Sequence, residues 1–166
     1  MLSVSELSED QANPLDSLEL LVSENEWPYE RIENDEIVVG ISGQWCDFHL
    51  RYIWLADQNI LQTVAQLDLK VLDKKRTEII ELIVKINDRI DLGHFGVWDN
   101  DNTVLFSHSI VIPENGTDII ASCDFVTKRV IEELDRYYPV FQFVIWAGKT
   151  AEEAIEAALL ETVGNA

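Results

Sequence analysis

Two neighbouring segments of alternating apolar and polar residues constrain this chain more than any other feature of its sequence. Every second position from Cys46 to Trp54 is apolar, and every second position from Leu61 to Val71 is apolar or threonine. Side chains of a β-strand point to opposite faces in turn, so each segment predicts a strand with one buried and one solvated face. The turn residues 57–59 join them. The pair predicts an antiparallel hairpin with one wet face.

Further patterns extend the sheet and place helices around it. Two more hairpins are indicated by turn residues between β-prone runs, at 29–33 with 36–42 and at 94–98 with 103–112. Helical spacing of apolar residues predicts helices over 14–25, 73–90, 118–138 and 150–163. Asn13 with Pro14, Asp73, and Thr117 or Asp118 are suited to helix starts, and Gly93 to a left-handed helix end. Hairpins with helices in separate blocks predict an α+β fold, a twisted antiparallel sheet of about five to six strands with helices packed on it.

The aromatic block at residues 137–146 is ambiguous by local preference alone. Its β-branched and aromatic residues favour a strand, but its position between helices favours a short buried helix after a break or kink at Pro139. We expect Trp54 and Trp146 in the core, whereas Glu132, Glu133 and Asp135 should face water.

Length and charge limit the class of protein. The 166 residues predict one domain over 13–166, preceded by a frayed tail over 1–12. The formal net charge of −19 argues against nucleic acid and against an anionic membrane surface as partners. Residues 1–11 lack the features of a signal peptide, so a cytoplasmic protein is expected. Cys46 and Cys123 are expected as free thiols, although a disulfide between them stays open.

No residue pattern predicts a catalytic site, a metal site or a cofactor. His94 and His108 could approach each other across a hairpin, but a third ligand is not evident and a structural role for His108 is favoured. Paired acidic residues are expected by chance among 31 acids. Residues 99–102 lack the glycine and distal glutamate of a calcium loop.

The tryptophans suggest a candidate partner surface instead. Trp45 and Trp98 fall out of phase with the core positions of their strands, and His49 lies in the polar phase of its strand. An aromatic patch on the outer sheet face would suit a protein partner. The alternative is that a helix or terminal segment covers the two indole rings.

Four segments resemble the YbjN family, whose members are labelled bacterial sensory transduction regulators. They are NPLDSLELLVSENEWPYER, GQWCDFHLRYIW, NDRIDLGHFGVWDNDNTVLFSH and the C-terminal ELDRYYPVFQFVIWAGKTAEEAIEAALLETVGNA. The resemblance covers nearly the whole chain from Asn13, and GHFGVW and RYYPVFQFVIWAGK are its most specific parts. It implies a fold similar to type III secretion chaperones, frequently a homodimer, and it supplies no catalytic residue.

Three functions remain open at this point. The resemblance favours a non-enzymatic regulator or adaptor that binds another protein. A holdase chaperone for a client protein follows only from analogy of fold. A metal-dependent enzyme that uses His94 and His108 is the least favoured of the three.

Overall fold

The structure, a computed structural model, describes residues 13–114 and 118–164. The predicted tail at 1–12 and the capping candidate Thr117 lie outside the described residues. One antiparallel sheet of six strands has the order β1-β2-β3-β4-β6-β5. Its strands are β1 Tyr29–Ile32, β2 Glu36–Ser42, β3 Asp47–Leu55, β4 Ile60–Lys70, β5 His94–Trp98 and β6 Thr103–Val111. The helices are α1 Pro14–Glu24, α2 Arg76–Asn87, α3 Ile119–Ile145 and α4 Ala151–Gly164. The predicted α+β class and antiparallel sheet are confirmed.

The alternation in the sequence matches the two faces of the sheet. In β3 the even-numbered residues from Phe48 to Trp54 are buried, and in β4 the odd-numbered residues from Leu61 to Leu69 are buried. The helices contact each other and the strands on that inner face, and they form one layer. The other face of the sheet has no helix over it in the described part of the chain.

An aromatic cluster joins the inner face to the helical layer. The Phe95 ring lies 4.9 Å from Phe106, 5.2 Å from Phe141 and 5.8 Å from Tyr137, measured between ring centroids. Edge-on and tilted arrangements of this kind add to the hydrophobic stabilisation. Much of the block at 137–146 therefore packs α3 onto β5 and β6.

The ends of the first two helices differ in how well the sequence predicts them. Asn13 caps α1 as predicted, because its side chain accepts a hydrogen bond from the Leu15 amide at 2.9 Å. Asp73 instead begins a short 3₁₀ turn, and α2 starts at Arg76 and ends at Asn87, short of Ile90. Gly93 is left-handed as predicted, with φ +76°, but it lies beyond the helix and leads into β5.

Three predictions for the C-terminal helices are wrong. α3 runs without a break from Ile119 to Ile145 with Pro139 inside it, so there is no separate short helix. Trp146 is 68% exposed and not in the core, because it lies about 200° around the helix from buried Val144. Glu133 is buried at 2% exposure, on the same helical stripe as Val130 and Tyr137.

Candidate partner surface

The outer face of the sheet carries no helix in the described part of the chain, and its side chains are open to a partner. A groove of about 610 Å³ crosses this face from β3 to the turn between β5 and β6. Half-buried Ile53, Val64 and Leu105 line it, and Trp98, which is 44% exposed, lies at its far side. The strands place these side chains on one face because each occupies an outward position of its strand.

The charged groups at the rim of this outer-face groove are already paired. Arg51 binds the Glu36 carboxylate across β2 and β3 at 2.7 Å. Asp99 in the β5–β6 turn binds Arg76 of α2 at 2.6 Å. Neither charge needs a ligand to compensate it, so the groove offers a partner mainly apolar and aromatic contacts.

His49 lies on the same face as Trp98 but not against it. The pairing runs from His49 to Gln66, then to Leu105 and to Gly96 on β5. Three strand intervals of about 4.8 Å separate His49 from β5, so it lies roughly 14 Å from the strand that carries Trp98. His49 lines a neighbouring depression with Asp68 and Lys70.

Trp45 does not share the outer face, contrary to the predicted patch of Trp45 with Trp98. Its indole Nε1 donates a hydrogen bond to the backbone carbonyl of Asp135 in α3 at 3.0 Å. That carbonyl would normally accept from the amide of residue 139, which is a proline and has no N–H. Trp45 therefore satisfies a helix carbonyl that Pro139 leaves open, and this helps α3 to continue through Pro139.

The Asp135 side chain completes this junction. Its carboxylate accepts a hydrogen bond from the Gln44 amide at 2.8 Å. Asp135 therefore fixes the β2–β3 loop to α3 through both its backbone and its side chain, and it is half-buried and not simply solvated. Sequence reasoning missed this, although a proline inside a strong helical pattern is a signal to look for a donor elsewhere.

The histidines of the β5–β6 hairpin lie close together but on opposite faces. His94 pairs with Ser107, which is the neighbour of His108 in β6, so the two imidazoles point to different sides of the sheet. Burial lowers the pKa of His108, and the nearby His94 lowers it further. Among residues 13–114 and 118–164, no three His, Cys, Asp or Glu side chains are arranged to hold a metal ion.

Both cysteines are free thiols in the structure. Cys123 is fully buried in α3 and burial raises the pKa of its thiol to about 11. Cys46 is half-buried, and burial raises the pKa of its thiol as well, against a lowering hydrogen bond with Tyr138. A raised pKa leaves less thiolate at neutral pH, which does not suit a nucleophile.

The fold places the chain in the class of α+β proteins whose helices form one layer on an antiparallel sheet. The chain belongs to the YbjN family, whose model matches residues 14–143 and is described as "Putative bacterial sensory transduction regulator". It is also similar in fold to a solved structure described as "Crystal structure of YbjN, a putative transcription regulator from E. coli". That likeness has a TM-score of 0.53 at 11% sequence identity and covers 75% of this chain and 90% of the other.

No curated protein matches this chain. None of the helices in the described residues combines the length and the hydropathy needed to cross a bilayer.

Proposed function

We propose that this chain is a non-enzymatic regulator that acts in the cytoplasm by binding another protein through the outer face of its sheet. The observation that supports this most directly is the outer-face groove, which has an exposed tryptophan beside half-buried aliphatic side chains. Among the described residues, no helix covers it. Tryptophan is among the residues that most often contribute a large share of the binding energy of a protein interface. Membership of a family described as a regulator agrees with the proposal.

The test compares two tryptophans that are both exposed but lie on different surfaces. Trp98→Ala removes the aromatic side chain at the groove, and Trp146→Ala removes one that is 68% exposed at the end of α3. Both variants should fold, since surface substitutions commonly change stability by about 0.5 kcal/mol or less. Proteins captured from the native bacterium are identified, and binding of the purified partner is then measured by calorimetry.

The proposal expects one folded partner whose affinity falls at least about tenfold with Trp98→Ala and is unchanged with Trp146→Ala. Equal affinity of the partner for both variants would show that the binding surface is not the outer-face groove. Capture of many unfolded proteins in place of one folded partner would favour the holdase alternative. The expected homodimer stays a prediction.

A further inference from the structure

β6 is longer than its neighbour β5, and this leaves part of its edge without a strand. β5 pairs only with residues 103–107 of β6, whereas β6 continues to Val111. The chain enters β5 through Gly93, whose left-handed φ of +76° turns the residues before it away from the direction of the strand. In the described part of the chain, no strand lies beside residues 108–111 on this side.

The backbone of this stretch presents hydrogen-bonding groups outward. The Ile112 amide donates to the Asn59 carbonyl at 2.8 Å, so Ile112 faces the β4 side. Backbone groups alternate along an antiparallel strand, so Ser109 and Val111 direct their N–H and C=O away from β4. Both residues are exposed, and Val111 reaches 71%.

The edge of β5 is covered at Phe95 by comparison. The Asn87 side chain donates to the Phe95 carbonyl at 3.0 Å and accepts from the Phe95 amide at 2.8 Å. One side-chain amide therefore takes the place of a neighbouring strand at Phe95. The open backbone at Ser109 and Val111 has no such cover from the described side chains.

An apolar groove lies directly beside the open stretch of β6. It has a volume of about 510 Å³ and lies between the end of β6 and the start of α3. Ile110, Ile112, Ile119 and Phe125 line it, and Phe125 is 59% exposed. An added strand would have one line of side chains directed toward this groove, since successive side chains alternate between faces.

The charges around the groove are mostly negative. Glu114 and Asp118 are exposed and adjoin the lining residues Pro113 and Ile119 in sequence. Asp124 precedes Phe125, and its carboxylate binds Lys128 at 2.7 Å. A ligand with positive charges beside its apolar residues is complementary to this surface.

We propose that the open edge at residues 109–111 and the apolar groove beside it bind an extended peptide segment of a partner protein. The segment adds a strand to β6, places alternate apolar side chains in the groove and carries Lys or Arg on either side of this apolar stretch, beside Glu114 and Asp118. This goes beyond the proposed function, because the docking edge is separate from the outer-face groove and does not include Trp98.

The probe is a synthetic nine-residue peptide with two lysines at each end and alternating valine and threonine between them, acetylated and amidated at its termini. Its binding is measured by the NMR shifts of the backbone amides of the full chain. The expected shifts centre on Ser109, Val111 and Phe125. A peptide with glutamate in place of every lysine should bind at least tenfold more weakly, and added salt should reduce that difference.

Variants of the exposed residues separate docking from other effects. Val111→Lys and Phe125→Lys should each weaken binding of the lysine peptide about tenfold or more, while both remain folded because the side chains are exposed. The matched control is Val84→Lys on α2, which is 64% exposed and should bind as the unchanged protein does.

Several results would overturn the proposal. Peptide shifts at Leu105 and Trp98 would assign the binding to the outer-face groove. Equal binding of the lysine and glutamate peptides would contradict the proposed preference for a basic segment. The absence of amide shifts at millimolar peptide would show that the edge does not bind a peptide. Self-association that Val111→Lys abolishes, without peptide binding, would assign the edge to a second copy of the chain. The effect of Trp98→Ala on partner binding tests only the proposed function. Peptide binding at the docking edge should be the same in this variant, because the edge does not include Trp98.

Discussion

A single indole hydrogen bond explains how a proline is accommodated inside the longest helix. Trp45 donates to the Asp135 carbonyl, which Pro139 cannot serve. We expect Trp45→Phe to lower the free energy of unfolding by about 1 kcal/mol, the usual contribution of a hydrogen bond. Chemical denaturation measures this loss.

The Pro139→Ala background provides the control for this prediction. Alanine restores an amide that can bond the Asp135 carbonyl within the helix. Trp45→Phe should therefore cost less in Pro139→Ala than in the unchanged protein, and a double-mutant cycle measures the difference. An equal cost in both backgrounds would show that Trp45 acts by packing and not by this bond.

The buried thiol of Cys123 makes stability depend on alkaline pH. Burial raises its pKa from the ordinary 9.0 to about 11, so in this range the unfolded chain loses the proton before the folded chain does. The contribution is complete below pH 9 and is lost as the pH rises through 11. Two pKa units correspond to roughly 3 kcal/mol.

The measurement compares the unchanged protein with Cys123→Ala from pH 8 to pH 11. The variant is less stable at pH 8 because it leaves a small cavity, and its disadvantage should shrink as the pH rises, since it has no thiol to ionise. Cys46→Ala is the matched control and should show a smaller pH effect, because Cys46 is only half-buried. A constant difference across the range would contradict the prediction.

At the scale of elements, Asn87 covers the sheet edge at Phe95 of β5. It lies at the last position of α2, and its side chain makes two hydrogen bonds to the Phe95 backbone. We expect Asn87→Leu to lower the free energy of unfolding by about 1–3 kcal/mol, since it leaves partly buried backbone groups unpaired. Denaturation and the hydrogen exchange rate of the Phe95 amide measure this.

Asn87→Asp is the natural comparison, because it keeps an acceptor for the Phe95 amide and loses the donor to the carbonyl. Its stability should fall between that of the unchanged protein and that of Asn87→Leu. If Asn87→Leu exchanges the Phe95 amide at the original rate, Asn87 does not close this edge. The sequence offers no local sign of the contact, because α2 and β5 meet only in the folded chain.

For the whole molecule, local patterns predicted the strands well and the long-range junctions poorly. β2 and β5 begin and end where alternation and turn residues placed them, since both depend on neighbouring residues. Pro139 indicates a helix break unless the hydrogen bond from Trp45 is known, and Trp45 lies 90 residues before its acceptor Asp135. Glu133 and Trp146 could have been placed correctly by the 3.6-residue period of α3, which puts Glu133 inward and Trp146 outward.

The candidate partner surface was predicted only in part for the same reason. Strand phase places His49 and Trp98 on the outer face, and phase is readable from sequence. Trp45 precedes β3 in a loop, where phase carries no information about direction. Residues 108–111 of β6 lack a neighbouring strand on the β5 side among the described residues because β5 is the shorter strand and Gly93 turns the chain away, and no single segment of sequence shows this.

The contact between Trp45 and Asp135 also has a consequence for the order in which the chain is synthesised. The two residues are 90 apart in sequence, and translation adds about 5–20 residues per second, so β3 precedes its helical partner by roughly 5–20 s. During that interval the strands from β1 to β4 present an apolar inner face without α3. Because like charges repel, we expect the excess of acidic residues to oppose association between incomplete chains at this stage.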